Sequence, residues 1–517
     1  QAHAHGDQLG RVVFPVSCNA LAQQRFERAI AALHSFWWEE GERAFSAVVE
    51  ADSSCAMGYW GLAVNRWGNP LAGGPSGDVL RAAAAAAERA ATLGAPTERE
   101  RGFIAALAAL YRDHATVRNA VRLRAYSDTF ARVYRDLPAD TEVAIYYALS
   151  LVATASATDT TFARQRQAAS ILNPLFARSP DHPGLAHYII HSNDSPRLAQ
   201  LGLDAARRYA QIAPAAPHAQ HMPSHIFIRL ALWDETIAAN QRAFDAGVGY
   251  ARATGMVGVA PEQLHALDYM VYGYLQQGRD SAARATVLHG LQLATTVRAD
   301  LLLTNYNRVA MEARVPLERG DWAAAAALPS RGTQAAAIGT ALTQFARGIG
   351  AARSGDTGHA RVETAALAEI ETALKGASGY DWGRIVGIKR QAVEAWIKLA
   401  AGDTAGALRD AQAAADLEDV TEKHPVTPGE LLPARELQAD LLLATGRYAA
   451  ARAAYRKTLE RERGRARSVF GAARAAELLG DAAAAREGYR EFLALMEKAD
   501  GDRAEIGLAK KAVAIRE

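Results

Sequence analysis

The sequence predicts an all-α chain built from repeated helix-turn-helix units, and three observations predict it. A Gly, followed by Asp or Arg and then by Ala five residues after the Gly, recurs at Gly278/Ala283, Gly320/Ala325, Gly355/Ala360, Gly402/Ala407, Gly446/Ala451 and Gly480/Ala485. The last two turn glycines stand 34 residues apart, and Tyr455 and Tyr489 repeat that interval. No apolar/polar alternation runs long enough to propose a sheet. At 517 residues the chain exceeds one compact core, which favours several domains or an elongated repeat array.

In each copy the Gly ends one helix in a left-handed conformation and the Ala packs the second helix on the first, joined in the last two copies by a Tyr four residues later. The 34-residue period is that of the tetratricopeptide unit, so the expected architecture is a right-handed superhelical solenoid of TPR-like hairpins. Gly41, Phe45 and Val48 keep the same spacing in 36-FWWEEGERAFSAVVEADSS-54, with Gly in the place of Ala, and read as a degenerate first repeat. The stretches 69-NPLAGGPSGD-78 and 420-VTEKHPVTPGE-430 break the pattern, because their prolines and glycines disfavour helix. The expected organisation is a leader segment over 1–20, N-terminal helical repeats over 21–140 and central repeats over 141–280. Further repeats follow over 281–419, then the loop insert 420–430 and C-terminal repeats over 431–517.

Hydrophobic residues make up 50% and charged residues 22%, as in a folded globular chain. With 58 basic and 56 acidic residues there is no electrostatic footprint for nucleic acid, and none is expected as a partner. No apolar run reaches the roughly 18–20 residues that cross a bilayer, so no membrane insertion is expected. The chain begins at Gln1, which suggests a targeting segment already removed and a periplasmic or secreted location. Cys18 and Cys55 flank the first hairpin, and an even pair in an exported protein forms a disulfide; two buried thiols are the alternative.

Six of the 14 histidines fall between positions 187 and 265: His187, His191, His218, His221, His225 and His265. The blocks 187-HYIIH-191 and 218-HAQHMPSH-225 each contain His-x-x-x-His, which puts two imidazoles on one helix face. His187 to His221 and His191 to His225 are both 34 residues, so the pairs occupy equivalent places in consecutive repeats. First helices of neighbouring repeats pack roughly 8–10 Å apart, close enough for those four imidazoles to share one ion. His265 and Asp268 hold corresponding places on the next first helix, and Glu142 on an upstream one. His34 stands alone, and a core or groove role is expected for it.

Imidazole with carboxylate and no thiolate suits copper, iron or zinc. A two-copper centre with three imidazoles per ion and a mixed histidine-carboxylate iron or zinc site both fit the composition. The plainer alternative is a buried hydrogen-bond network or the lining of a peptide groove. The phosphate-loop, dinucleotide, H-E-x-x-H, G-x-S-x-G and C-x-x-C-H patterns are missing from the sequence, and Ser224 is expected to cap the helix after Pro223.

The segments 55-CAMGYWGLA-63, 182-HPGLAHYIIHSND-194, 212-IAPAAPHAQHMPSHIFIRLALWDE-235 and 426-VTPGELLPARELQADLL-442 resemble a group of secreted bacterial tetratricopeptide-repeat proteins. The resemblance covers nearly the whole chain and is most specific at 218-HAQHMPSHIF-227. It implies the helical repeat fold and export, and no particular activity. The functional expectation is a transition-metal protein, a copper or iron oxidoreductase in preference to a hydrolase if it is an enzyme. The alternatives are an interaction scaffold holding a small molecule or peptide in its concave groove, and a metal storage or delivery protein.

Overall fold

The computed structural model describes residues 9–156, 158–297, 301–330, 337–376 and 380–514. The chain divides between Ile226 and Phe227 into two compact units, inside the section 141–280. Among the described residues every regular element is a helix, and none is long and apolar enough to cross a membrane.

In the first unit, helices Ala20–His34 and Trp38–Ala51 form a hairpin, followed by Ala56–Trp67 with Gly77–Leu93 and Glu98–Tyr111 with Asn119–Asp136. Thr141–Ala153 with Ala163–Arg178 and Pro183–Asn193 with Leu203–Ile212 continue the series. Helix starts are set locally: the side chains of Asn19, Thr97 and Asp140 each accept a bond from an otherwise unpaired backbone N–H of the first turn. Helix Ala20–His34 packs on Ala56–Trp67, and also on the distant Pro183–Asn193. That long-range contact brings His34 beside His187.

The stretch expected to be a leader is built into this core over its described part. Leu9, Val12 and Phe14 are buried, and the Phe14 ring packs against Phe26, Trp60 and Phe103 at 5.1, 6.0 and 5.0 Å. The large apolar side chains at these positions explain the burial. Cys18 and Cys55 are joined by a disulfide. Closing a span of 37 residues removes unfolded-state entropy worth about 4 kcal/mol. Reduction should therefore lower the denaturation free energy of the first unit by about that amount. Urea titrations with and without reductant check this; coincident curves would mean that the bridge contributes nothing.

In the second unit the six turn glycines all have positive φ, from 66° at Gly320 to 87° at Gly355. An L side chain is disfavoured there, which is why Gly recurs. The six paired alanines are 0–4% exposed, each filling a close helix-helix contact. The stretch 420–430 is non-helical, as its prolines dictate, yet it is packed inward: Val426 and Thr427 are buried, and Arg314 donates to the Gly429 carbonyl and to Thr427 Oγ1 at 3.0 Å each.

Candidate metal centre

Helix Pro183–Asn193 begins with Pro183 in its first turn, where a missing N–H costs nothing, and every one of its residues is buried. A helix buried all round normally carries no polar side chains, so His187 and His191 need partners. They lie one turn apart with ring centroids at 4.7 Å. The next block is two short helices, Pro217–His221 and Pro223–Arg229, because Pro223 has no N–H to continue the ladder. Ser224 does not cap the second of these; its hydroxyl donates back to the His221 carbonyl at 2.7 Å.

The break at Met222 regroups the histidines relative to the 34-residue register. His218 joins His187 and His191, with one nitrogen from each lying within 4.8 Å of the others, and the Nε2 atoms of His187 and His218 are 3.2 Å apart. His221 and His225 form a second pair, Nε2 to Nε2 at 3.1 Å. Metal–nitrogen bonds of about 2.0–2.1 Å give a tetrahedral ligand edge of about 3.3 Å, so both spacings suit a shared ion.

Two imidazoles are oriented from behind. The Nδ1–H of His187 donates to the His34 carbonyl at 2.6 Å, which leaves its Nε2 with the lone pair directed at the cluster. The Nδ1–H of His225 donates to Asp194 Oδ2 at 2.8 Å, with the same consequence. Nε2 of His191 is buried with no hydrogen-bond partner. Burial, reinforced by their mutual proximity, holds His187 and His218 well below the ordinary imidazole range, and burial with His225 holds His191 down to about 3. These three imidazoles are neutral at pH 7 and able to ligate.

The remaining sequence candidates are His265, Asp268 and Glu142. His265 belongs to the second unit, where it packs edge-on to Tyr269 at 4.8 Å and faces Asn307. Asp268, also in that unit, has both oxygens engaged by the buried Arg314 at 2.7 and 3.1 Å, so its lone pairs are spent on an ion pair. Glu142 sits apart from the imidazole trio: its two oxygens accept from His34 Nε2 at 3.0 Å and His182 Nε2 at 2.9 Å. His34, expected in a core or groove, and His182, which no spacing singles out, thus form a separate buried group with Glu142.

Sequence reasoning also missed Asp194 and Phe36. Asp194 was within reach, three residues past His191. Phe36 occupies the turn place that Gly fills in later copies, five residues before Gly41, and adopts φ 49° there. That conformation costs a phenylalanine roughly 1–2 kcal/mol. Its ring is what the position keeps: the centroid lies 4.5 Å from His187, 5.3 Å from His218 and 5.8 Å from His191. Phe36→Gly should relieve the backbone yet still destabilise the first unit by about 2 kcal/mol, since emptying a buried Phe site costs about 3–5 kcal/mol. A urea midpoint at or above that of the wild type would disprove this.

No protein-family model matches the chain, and no curated protein does. Among solved structures, human IFIT1 as a dimer with m7Gppp-AAAA is similar at 12% identity and a TM-score of 0.37, covering 84% of this chain and 87% of that one. Yeast Tom70 is similar at 11% identity and 0.34, covering 95% of each chain. The TPR domain of P58(IPK) is similar at 12% identity and 0.22, covering 89% of this chain and 98% of that one. At that distance nothing of those proteins' ligands or partners carries over, and the fold rests on the helices described above.

Proposed function

We propose that the first unit is a transition-metal centre in which His187, His191 and His218 ligate one ion and His221 and His225 supply further imidazoles. The observation that carries this reading is the imidazole trio, with buried His187 turning its Nε2 inward through the His34 carbonyl and His191 Nε2 left without a partner. A hydrogen-bond network would satisfy that nitrogen, because buried polar atoms rarely go unpaired. An all-imidazole set without thiolate suits copper or zinc. Bound copper or iron would supply one-electron chemistry, and zinc would supply Lewis acidity. The chain's own contribution is to hold neutral imidazoles in place and, through Phe36, to cover the trio with an apolar ring.

The oxidoreductase reading rests on that metal being redox-active. The Cys18–Cys55 bridge supports the further reading that the chain works in an oxidising, extracytoplasmic compartment. Elemental analysis of untagged protein purified from its native compartment tests the metal. About one or two equivalents of copper, iron or zinc are expected; a protein that neither carries nor takes up any of them refutes the reading.

A second reading, the interaction scaffold, has an observation of its own in the second unit. A cleft of about 280 Å³ is lined by Trp322, Arg353, Asp440, Tyr455, Arg467 and Phe470, with the Arg353 guanidinium 3.9 Å over the Trp322 ring. Such a cleft suits a peptide that offers an aromatic side chain beside a carboxylate.

A further inference from the structure

Three helix ends of the first unit meet at a site distinct from the imidazole trio. His34 is the last residue of helix Ala20–His34, Glu142 lies in the first turn of Thr141–Ala153, and His182 is the N-cap of Pro183–Asn193. All three are buried, at 0%, 1% and 5% exposure. Each offers a ligand atom within 4.8 Å of the others.

Among the described residues Glu142 has no fixed cation as a partner: its hydrogen-bond and ion-pair partners are the two imidazoles, and no Lys or Arg pairs with it. His34 Nδ1 lies 3.0 Å from the Tyr188 hydroxyl. His182 Nδ1 is buried with no hydrogen-bond partner. A carboxylate buried without a fixed counter-charge is costly.

A divalent cation removes the imbalance. With bonds of about 2.1 Å, adjacent ligands of an octahedral ion stand about 3.0 Å apart. The separations from His34 Nε2 to Glu142 Oε2, 3.0 Å, and from His182 Nε2 to Oε1, 2.9 Å, are of that size, one to each carboxylate oxygen. Two imidazoles and a carboxylate form a harder donor set than the imidazole trio, suited to iron(II), manganese(II) or zinc(II).

We propose that His34, Glu142 and His182 form a second metal site, binding a divalent transition-metal ion through two imidazole nitrogens and a carboxylate. It adjoins the first site, since the His34 carbonyl is what orients His187, and it does not depend on that site holding metal.

The test uses the full untagged chain, stripped of metal and reloaded with cobalt(II), with bound cobalt counted by mass spectrometry and followed by visible absorption. Wild type is compared with Glu142→Gln, which keeps the shape of the side chain, with His182→Asn, which places a favoured N-cap residue at the helix start, and with the double variant His187→Ala/His191→Ala. Each of the first two variants is expected to bind one equivalent fewer than wild type and to lose the weak absorption of a six-coordinate ion. The double variant is expected to keep that equivalent and that absorption while losing the stronger bands of the imidazole site. The second site is refuted if Glu142→Gln and His182→Asn bind as much cobalt as wild type, if they lose the imidazole-site bands instead, or if wild type binds no cobalt. Should Glu142→Gln lose helicity, His182→Asn decides alone. Loss confined to the double variant would leave the imidazole site standing and remove the second.

Discussion

Replacing His187 and His191 together by alanine is expected to abolish metal binding at the imidazole trio and to leave helical content nearly unchanged. These two residues supply two of its three nitrogens, and one of them is held in orientation by a backbone carbonyl. Removing only an orienting partner typically costs about 10–100-fold in metal affinity, so losing two ligands should exceed 100-fold. The helices should persist because each is held by its neighbours in the array, and the variant removes polar atoms from a buried position. Metal titration with circular dichroism checks both halves. Undiminished affinity in a well-folded variant would refute the assignment.

Lowering the pH from 7 to 5 should destabilise the metal-free first unit by about 4 kcal/mol, a large share of the 5–15 kcal/mol that holds an ordinary domain together. An unfolded imidazole takes up a proton near pH 6.5, whereas buried His191 does so only near 3 and buried His187 also well below its ordinary range. Between those limits the unfolded state binds more protons, so stability is complete above about pH 6.5 and falls as the pH drops, by about 1.4 kcal/mol per group per pH unit. Burial shifts His34 in the same direction, which adds to the loss, and His218 keeps part of its surface in water. In the second unit His424 is likewise held down to about 3, by burial and by Lys423, so that unit should lose about half as much. Hydrogen exchange followed by mass spectrometry separates the two units. Peptides from helix Pro183–Asn193 should lose protection at a higher pH than those from Trp382–Ala400, and bound metal should move the first transition to lower pH. Equal protection of the two helices down to pH 5 would contradict this account.

How much of this was legible in the sequence depended on how local the cause was. The turn glycines, the paired alanines and the non-helical stretch at 420–430 follow from one residue's conformational limits, and they appear where the pattern puts them. The pairing of Cys18 with Cys55 followed from their number and their places around the first hairpin. The 34-residue spacing drew attention to the right histidines, because periodicity marks which residues share a helix face. It could not say that Pro223 would break the helix between His221 and His225 and so place His218, instead of His221, with His187 and His191.

The remaining parts were decided by tertiary structure alone. Phe36 holds a strained turn because its ring is needed over imidazoles that lie more than 150 positions later in the chain. Asp268 reads as a ligand by its position on a helix and is an ion-pair partner because the fold brings Arg314 to it. His34, Glu142 and His182 share no period and no motif, and they meet because helix Ala20–His34 packs against helix Pro183–Asn193. By itself the sequence determined the repeated helix-turn-helix unit, its turn glycines and the candidate ligand types, which depend on short-range features of the chain. Which imidazoles share a site, and which carboxylate joins them, depends on contacts between helices far apart in sequence, where packing of whole faces outweighs any single spacing.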